Sequence, residues 1–185
     1  MITEEMVKKI DETTRILGEM YKNSKSDKSI RVYDGEDKGL EIRAGLTGEA
    51  CFAEKYKLEA DLNAYRTGDG HIDFKVQIND HTVLTIDIKT VTKPNQLNLL
   101  VKQWELEDEY VSDILVMSRY FNPKRVDFIG WTSRALMWEN KPKVFCTKTN
   151  IKNYYRHYTK LFSMEDLDKI LKGPGIRMKQ LKHRP

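Results

Sequence analysis

Hydrophobic residues in the first third of the chain recur at helical spacing. Apolar positions three or four residues apart predict an amphipathic helix over 3–21, with Thr3 as its N-cap. The same spacing predicts a second helix over 47–62, and Gly45 and Gly48 bracket its start. The N-terminal part of the chain is therefore expected to be largely helical.

The pattern changes to strict alternation of apolar and polar residues beyond the turn at 67–70. This alternation predicts two strands, 71–78 and 82–91, joined by a short loop at 79–81. Asn122-Pro123 breaks the chain between two later apolar runs. Shorter runs of this kind predict further strands at 30–33, 114–117, 126–131 and 144–149.

Helical spacing returns in two later segments. One helix is predicted over 95–108. Another opens at Ser163 with a capping-box pattern and is stopped by Gly173-Pro174-Gly175. The remainder, 176–185, is expected to form a basic tail.

The alternating hairpin carries the most informative polar residues. A three-residue loop pairs Ile78 with Thr82, and each later pair then follows in register. The apolar side chains of both strands share one face in this register, and Asp73 meets Asp87 on the other. Lys89 lies on the same face as Asp87, one pleat further along.

Two carboxylates in this arrangement require a compensating cation or a shared proton. Directly opposed side chains on neighbouring strands have Cβ atoms about 4.5–5.5 Å apart, and like charges at that distance are destabilising. Two oxygen ligands on adjacent strands suit Mg²⁺ or Mn²⁺. The alternative is a solvated strand face with ordinary charges. The β-branched composition of 85–91 indicates a central strand and favours the metal site.

The predicted second helix supplies a third acid. Glu49 is the one charge on the helical stripe that contains Phe52 and Tyr56, so we expect it to point toward the core or the sheet. Glu54 falls on a different face. The alternative for Glu49 is a first-turn acid that complements the helix dipole, which is a common arrangement.

Composition excludes several classes of protein. A chain of 185 residues with 39% hydrophobic residues and 18 aromatic side chains is long enough for one domain with its own core. The longest uncharged apolar run, 114–117, is far short of the roughly 20 residues that span a bilayer. The acidic start does not resemble a signal peptide, so a cytoplasmic protein is expected. Cys51 and Cys146 are far apart, and two reduced thiols are expected.

Charge is distributed unevenly along the chain. The overall net charge is +4, but residues 141–185 contain 12 Lys and Arg against 3 Asp and Glu. This distribution fits a polyanionic partner and a solvated lysine-rich tail about equally well. Aromatic residues in and just before this region are expected to stack on bases or sugars; these are Trp138, Tyr154, Tyr155 and Tyr158. The spacing of Tyr154, Tyr155 and Tyr158 is also compatible with packing in a helix, and packing is favoured for at least one of them.

The order of the candidate acids resembles the PD-(D/E)XK nuclease superfamily. Glu49 on a helix, Asp73 on a strand and Asp87-Ile88-Lys89 after a short hairpin match that motif in order and in context. The resemblance covers about residues 45–135. Ile72 stands where the family name has proline, and no Gln-x-x-x-Tyr follows the core.

The resemblance implies a fold, an activity and a site. The fold is of the mixed α/β (α+β) class, with a central mixed sheet flanked by helices. The organisation is a single nuclease domain over 1–185: an N-terminal helix and lead-in to 44, the catalytic core over 45–135 and a basic segment over 136–185. The activity is Mg²⁺- or Mn²⁺-dependent hydrolysis of phosphodiester bonds in DNA.

Carried onto this sequence, the resemblance makes Asp73 and Asp87 metal ligands, with the Ile88 carbonyl as a further ligand. Glu49 either completes the metal site or supports its ligands, and Lys89 orients the attacking water and stabilises the phosphorane charge. A double-strand cut needs two sites, which is compatible with a homodimer. The alternatives are a non-catalytic nucleic-acid-binding or assembly protein on the same fold, and a small structural protein with no nucleic-acid role.

Overall fold

The computed structural model describes residues 1–23, 38–64, 72–107, 112–145 and 150–181. Several predictions lie outside these ranges: the strand at 30–33, the turn at 67–70, Cys146 and the end of the basic tail. The helices are α1 (Glu4–Asn23), α2 (Lys38–Tyr56), α3 (Gln103–Glu107), α4 (Arg134–Met137) and α5 (Met164–Lys172), with a 3₁₀ turn at Tyr158–Lys160. The strands are β1 (Phe74–Asn79), β2 (Thr82–Val91), β3 (Asn98–Lys102), β4 (Ile114–Asn122), β5 (Arg125–Ser133), β6 (Lys143–Val144), β7 (Lys152–His157) and β8 (Lys179–Gln180).

The first helix forms where the spacing predicts it. Thr3 caps α1 through its side-chain oxygen, which accepts a hydrogen bond from the Met6 N–H at 3.2 Å. The buried face of α1 packs on α2, with Ile10, Leu46 and Ala50 in a common apolar cluster. No helix in the described ranges is long and apolar enough to cross a membrane.

The second helix has different bounds from the predicted 47–62. It begins at Lys38 and ends at Tyr56, so Gly45 and Gly48 lie inside it. Gly48 is needed for close packing, because a Cβ there would overlap Thr90 Oγ1 and lie 3.2 Å from Ser118 Oγ on the sheet. A glycine that allows a helix to approach a sheet resembles a helix boundary when only the sequence is considered.

The hairpin register is confirmed over most of its length. Phe74 pairs with Ile86 and Val76 with Leu84, as the alternation requires. The predicted three-residue loop is wrong, since Asn79 pairs with Thr82 and the register shifts beyond Gln77. One residue of β1 between Gln77 and Asn79 has no partner on β2, as in a β-bulge, so the turn contains only Asp80 and His81.

The central sheet is mixed and has the strand order β5-β4-β2-β1-β8. Strands β2 and β4 are parallel, whereas the other neighbours are antiparallel. The predicted strands at 114–117 and 126–131 are confirmed as the cores of β4 and β5. The fold is therefore mixed α/β with a central mixed sheet, as the resemblance implies.

The predicted helix over 95–108 is wrong. Residues Asn98–Lys102 form β3, and only Gln103–Glu107 are helical. Strand β3 pairs with β7, which in turn pairs with the two-residue β6. Of the strand predicted at 144–149, Val144 belongs to β6, and residues 146–149 lie outside the described ranges. Leu99 and Val101 are buried and their neighbours are not, and this period of two is typical of a strand. The three strands make a second, antiparallel sheet.

Each face of the central sheet has its own apolar core. Helices α2 and α5 cover one face, where Phe52, Ile86 and Leu167 share a cluster. The second sheet and α3 cover the other face, where Leu99, Leu106 and Leu115 share another cluster. Polar side chains between the central and second sheets are therefore held among buried residues.

The C-terminal helix confirms its predicted cap. Ser163 Oγ accepts a hydrogen bond from the Asp166 N–H at 3.2 Å, and α5 ends before Gly173. The prediction of a simple tail beyond it is wrong in part. Lys179 and Gln180 add to the edge of the central sheet by pairing with Gln77 and Val76 of β1.

Candidate functional site

Asp87 and Lys89 project from the middle of β2 toward the second sheet. The parallel register places them beside Leu115 and Met117, which belong to the core beneath that sheet. Lys89 Nζ lies 2.9 Å from Asp87 Oδ2, and the two side chains are 25% and 8% exposed. The alternation along β2 thus places the acid and the lysine together on one partly desolvated face.

Asp73 lies immediately before β1 and reaches the same stretch of β2. Its backbone N–H donates to Ile86 O at 3.0 Å, and its Oδ2 accepts from the Ile88 N–H at 2.6 Å. The ladder begins one residue later, with Phe74 opposite Ile86. Asp73 is therefore tied to the backbone of β2 beside Asp87, at the end of the ladder.

Glu105 on α3 is a further acid at this site, and the sequence analysis does not find it. Its side chain is 8% exposed, with Oε2 3.5 Å from Lys89 Nζ. Its other oxygen, Oε1, lies 2.7 Å from Lys102 Nζ. Glu105 thus connects the lysine of β2 to a lysine of the second sheet.

No local signal distinguishes Glu105 from the acids that follow it. Residues 105–109 hold four carboxylates, and no functional residue is predicted in the helix that the sequence places over 95–108. Its position depends on β3, which is placed by pairing with β7, more than fifty residues further along the chain. Sequence spacing therefore could not select it.

Electrostatics around Lys89 strongly favour its charged form. Burial lowers the pKa of the Lys89 ammonium, but the negative charges of Asp87 and Glu105 outweigh burial and raise the pKa above its ordinary value. The hydrogen bond to Asp87 and the charge of Asp73 act in the same direction. Lys89 is therefore a fixed positive charge at neutral pH.

Glu49 lies on α2, the helix that covers the opposite face of the central sheet. Its helix packs through Gly48 against Ile88, Thr90 and Ser118, whose side chains alternate with those of Asp87 and Lys89. Glu49 is partly buried, whereas Glu54 is exposed. The structure thus favours Glu49 over Glu54 as the inward-facing acid, and its participation in the site stays a prediction.

The donors at the site fit a hard divalent cation in their chemistry. They are carboxylate oxygens and a backbone carbonyl, which Mg²⁺ and Mn²⁺ accept, and these metals also keep several waters or take substrate phosphate. No group of three or more His, Cys, Asp or Glu side chains within the described ranges is arranged to enclose a metal ion. Asp73 and Asp87 would therefore hold such an ion with help from water and substrate.

The aromatic residues of the basic segment divide into two groups. Tyr154 is buried, and its hydroxyl donates to Glu107 Oε1 at 3.2 Å, so it packs in the core. Trp138 and Tyr158 are exposed. The predicted helical packing is wrong, because 152–157 form β7, where Tyr154 and Tyr155 point to opposite faces.

Comparisons with known proteins add one match. A family model described as "REase associating with pPIWI_RE" matches residues 47–157, where REase denotes a restriction endonuclease. The matched segment contains α2 from Thr47 onward, both strands of the hairpin, α3 and the second sheet. No match was found among curated proteins or among solved structures.

Proposed function

This chain belongs to the restriction-endonuclease family described as REase associating with pPIWI_RE, and we propose on that premise that it hydrolyses phosphodiester bonds of DNA in a metal-dependent reaction. The observation that carries the proposal is the placement of Lys89 between Asp87 and Glu105, with Asp73 tied to the same stretch of β2. A buried ammonium among several acids is typical of a functional site more than of a solvated strand face.

Asp73 and Asp87 are the residues we assign to metal binding, with the Ile88 carbonyl as a further ligand and Glu49 as the supporting acid. Mg²⁺ or Mn²⁺ bound there would lower the pKa of a water ligand and offset the charge on the scissile phosphate. The protein holds the carboxylates on neighbouring backbone segments, so their positions are set before substrate arrives.

Lys89 is the residue we assign to orienting the attacking water and neutralising the developing phosphoryl charge. Its ammonium is held by Asp87 at 2.9 Å and Glu105 at 3.5 Å, which restricts the flexible side chain to one position. A fixed cation stabilises developing negative charge without reorganising during the reaction.

The test is a cleavage assay on linear, circular and branched DNA with Mg²⁺, Mn²⁺ or EDTA. We expect metal-dependent cutting by the parent chain and its loss in Asp87→Ala and Lys89→Ala. Lys93→Ala is the matched control, because Lys93 is exposed and only four residues beyond Lys89. Retained cutting in Lys89→Ala, at the level of the control, would show that the site is misplaced.

Circular substrate separates two modes of cleavage. Cutting of linear but not circular DNA would indicate an exonuclease, and cutting of both an endonuclease. Absence of cutting with salt-sensitive DNA binding would instead favour the binding or assembly protein, because phosphate contacts alone give such salt dependence.

Two partners follow from the same premise. The family description names association with pPIWI_RE, and we propose that this chain associates with such a protein. Copurification of the two, with and without DNA, tests this. We also propose a homodimer for a double-strand cut, which sedimentation of the chain alone tests.

A further inference from the structure

The outward face of the second sheet combines lysines with exposed rings. We call it the aromatic face: Lys102 of β3, Tyr155 of β7 and Lys143 of β6, with Trp104 and Phe145 against them. Trp104 is 50% exposed and Phe145 is 43% exposed. Trp104 belongs to α3 and Phe145 follows β6, so both exposed rings border the sheet, and a group of large exposed rings is typical of a binding surface.

Strand alternation directs these side chains away from the core. Val101 and Tyr154 are buried, so the neighbouring Lys102 and Tyr155 face outward. The register then aligns Lys102 with Asn153 and Asn153 with Lys143 across the three strands. A lysine therefore stands on each side of the central strand, on one face.

Each lysine is associated with a ring. Lys102 Nζ lies 5.4 Å from the centroid of the Trp104 ring, and Lys143 Nζ lies 5.1 Å from that of Tyr155. Phe145 meets Tyr155 edge to face at 5.2 Å. Lys143 makes no ion pair with any described residue. The aromatic face thus presents flat apolar surface and positive charge together.

The aromatic face is continuous with the candidate site. Lys102 Nζ contacts one oxygen of Glu105 at 2.7 Å, and the other oxygen lies 3.5 Å from Lys89 Nζ. One acidic side chain therefore separates a lysine of the face from the lysine assigned to chemistry. A phosphate held by Lys102 would therefore lie one side chain away from Lys89.

We propose that the aromatic face binds single-stranded nucleic acid and leads it to the site; this rests on the function proposed above. Exposed rings stack on bases that are not already stacked in a duplex, and adjacent lysines contact the phosphates. A duplex presents phosphates but covers its base faces, so it would use the lysines and not the rings. The pairing of each lysine with a ring favours the single strand.

The test is fluorescence anisotropy of labelled dT20, U20 and a 20-base-pair duplex, measured in EDTA so that no cleavage occurs. We expect tighter binding of a single strand than of the duplex. The comparison of dT20 with U20 shows whether the aromatic face binds single-stranded DNA or single-stranded RNA more tightly. Trp104→Ala and Phe145→Ala should each weaken single-strand binding roughly 5- to 150-fold, the range for loss of one base–ring stack.

The matched control is Phe121→Ala. Phe121 is the most exposed ring among the described residues, and Arg125 lies 4.8 Å from its centroid at the end of the β4–β5 hairpin. It has the same cation–ring chemistry at a different place, and its loss should leave binding unchanged. Circular dichroism of each variant verifies folding, and Trp104→Phe, which keeps a ring, should restore most of the affinity.

The outcomes distinguish this inference from the proposed nuclease. Ring-dependent single-strand binding without any cleavage would support the aromatic face and refute the activity. Metal-dependent cleavage, with single-strand affinity unchanged in Trp104→Ala and Phe145→Ala, would support the nuclease activity. It would overturn the inference that the aromatic face binds the strand. Equal affinity for duplex and single strand, with no effect of either ring, would also overturn it.

Discussion

Substitution of Lys89 by methionine tests the electrostatic structure of the site without requiring activity. Methionine keeps much of the length and apolar stem of lysine but removes its charge. Asp87 and Glu105, each 8% exposed, would then lose the ammonium that lies 2.9 Å and 3.5 Å from their oxygens. Glu105 would keep Lys102 at 2.7 Å, so the loss falls mainly on Asp87.

The magnitude follows from burial. Unit charges about 4 Å apart attract by about 4 kcal/mol at an effective dielectric constant of about 20, and removing one partner of a buried pair costs about 3–5 kcal/mol. Lys89 is 25% exposed, so water compensates in part and the lower end of the range applies. We expect the free energy of unfolding to fall by about 3 kcal/mol. This loss corresponds to a fall of roughly 6–12 °C in the midpoint of thermal unfolding.

The assay is thermal and urea unfolding, followed by circular dichroism in EDTA. Lys55→Met is the matched control, because Lys55 Nζ pairs with Asp168 at 3.1 Å while both side chains are about one third exposed. Screening by solvent limits the expected loss there to about 0–1 kcal/mol. Millimolar Mg²⁺ should stabilise Lys89→Met more than Lys55→Met, because in Lys89→Met the cation also replaces the charge missing beside Asp87.

The comparison of the two variants can refute the reasoning. If Lys89→Met loses no more stability than Lys55→Met, the acids around Lys89 are not desolvated as the structure indicates. If Mg²⁺ stabilises both variants equally, the ion does not replace the charge lost with Lys89. Either result would remove the electrostatic support for the site.

Three further predictions concern other parts of the chain. Gly48→Ala should lower the free energy of unfolding by about 1–3 kcal/mol because its Cβ meets the sheet, whereas Gly45→Ala, with open space around it, should raise it by up to about 1 kcal/mol; urea titrations of both check this. Burial raises the pKa of the Asp168 carboxyl, but the hydrogen bond from Lys55 and the charges of Lys55 and Lys172 outweigh it and lower the pKa. Asp168 therefore stabilises the fold above the pKa of an unfolded aspartate, about 3.9, and this stability is lost as pH falls through its folded value. Asp168→Asn should flatten the acid limb of stability against pH, and an unchanged limb would refute this. Glu105→Gln should reduce DNA cleavage at least about tenfold with the fold retained, since the negative charge that helps to hold Lys89 is lost.

Much of the fold was accessible from local patterns. The hairpin register, the cap at Ser163 and the strands around 114–117 and 126–131 depend on residues close in sequence. The common face of Asp87 and Lys89 follows from strand periodicity alone. These features were predictable because neighbouring residues determine the period and the turn.

The wrong predictions involve partners that are distant in sequence. Residues 95–108 have a spacing compatible with a helix. Pairing with β7, for example of Leu100 with Tyr155, instead makes Asn98–Lys102 a strand. In the sequence Gly48 is typical of a helix boundary, and its role in close packing is visible only from the sheet residues beside it. The sequence around Lys179 and Gln180 is typical of a basic tail, and only pairing with the edge strand β1 makes these residues a strand.

The sequence by itself determined the hairpin and the common face of Asp87 and Lys89, because a period of two is a local property of the backbone. Only the tertiary structure decided that Glu105 lies beside Lys89, since that contact requires the second sheet to fold over the central one. It also decided that Tyr155 faces outward beside Lys143, because strand pairing assigns the face to each residue of β7. Long-range pairing carries this information, and local hydrophobic spacing does not.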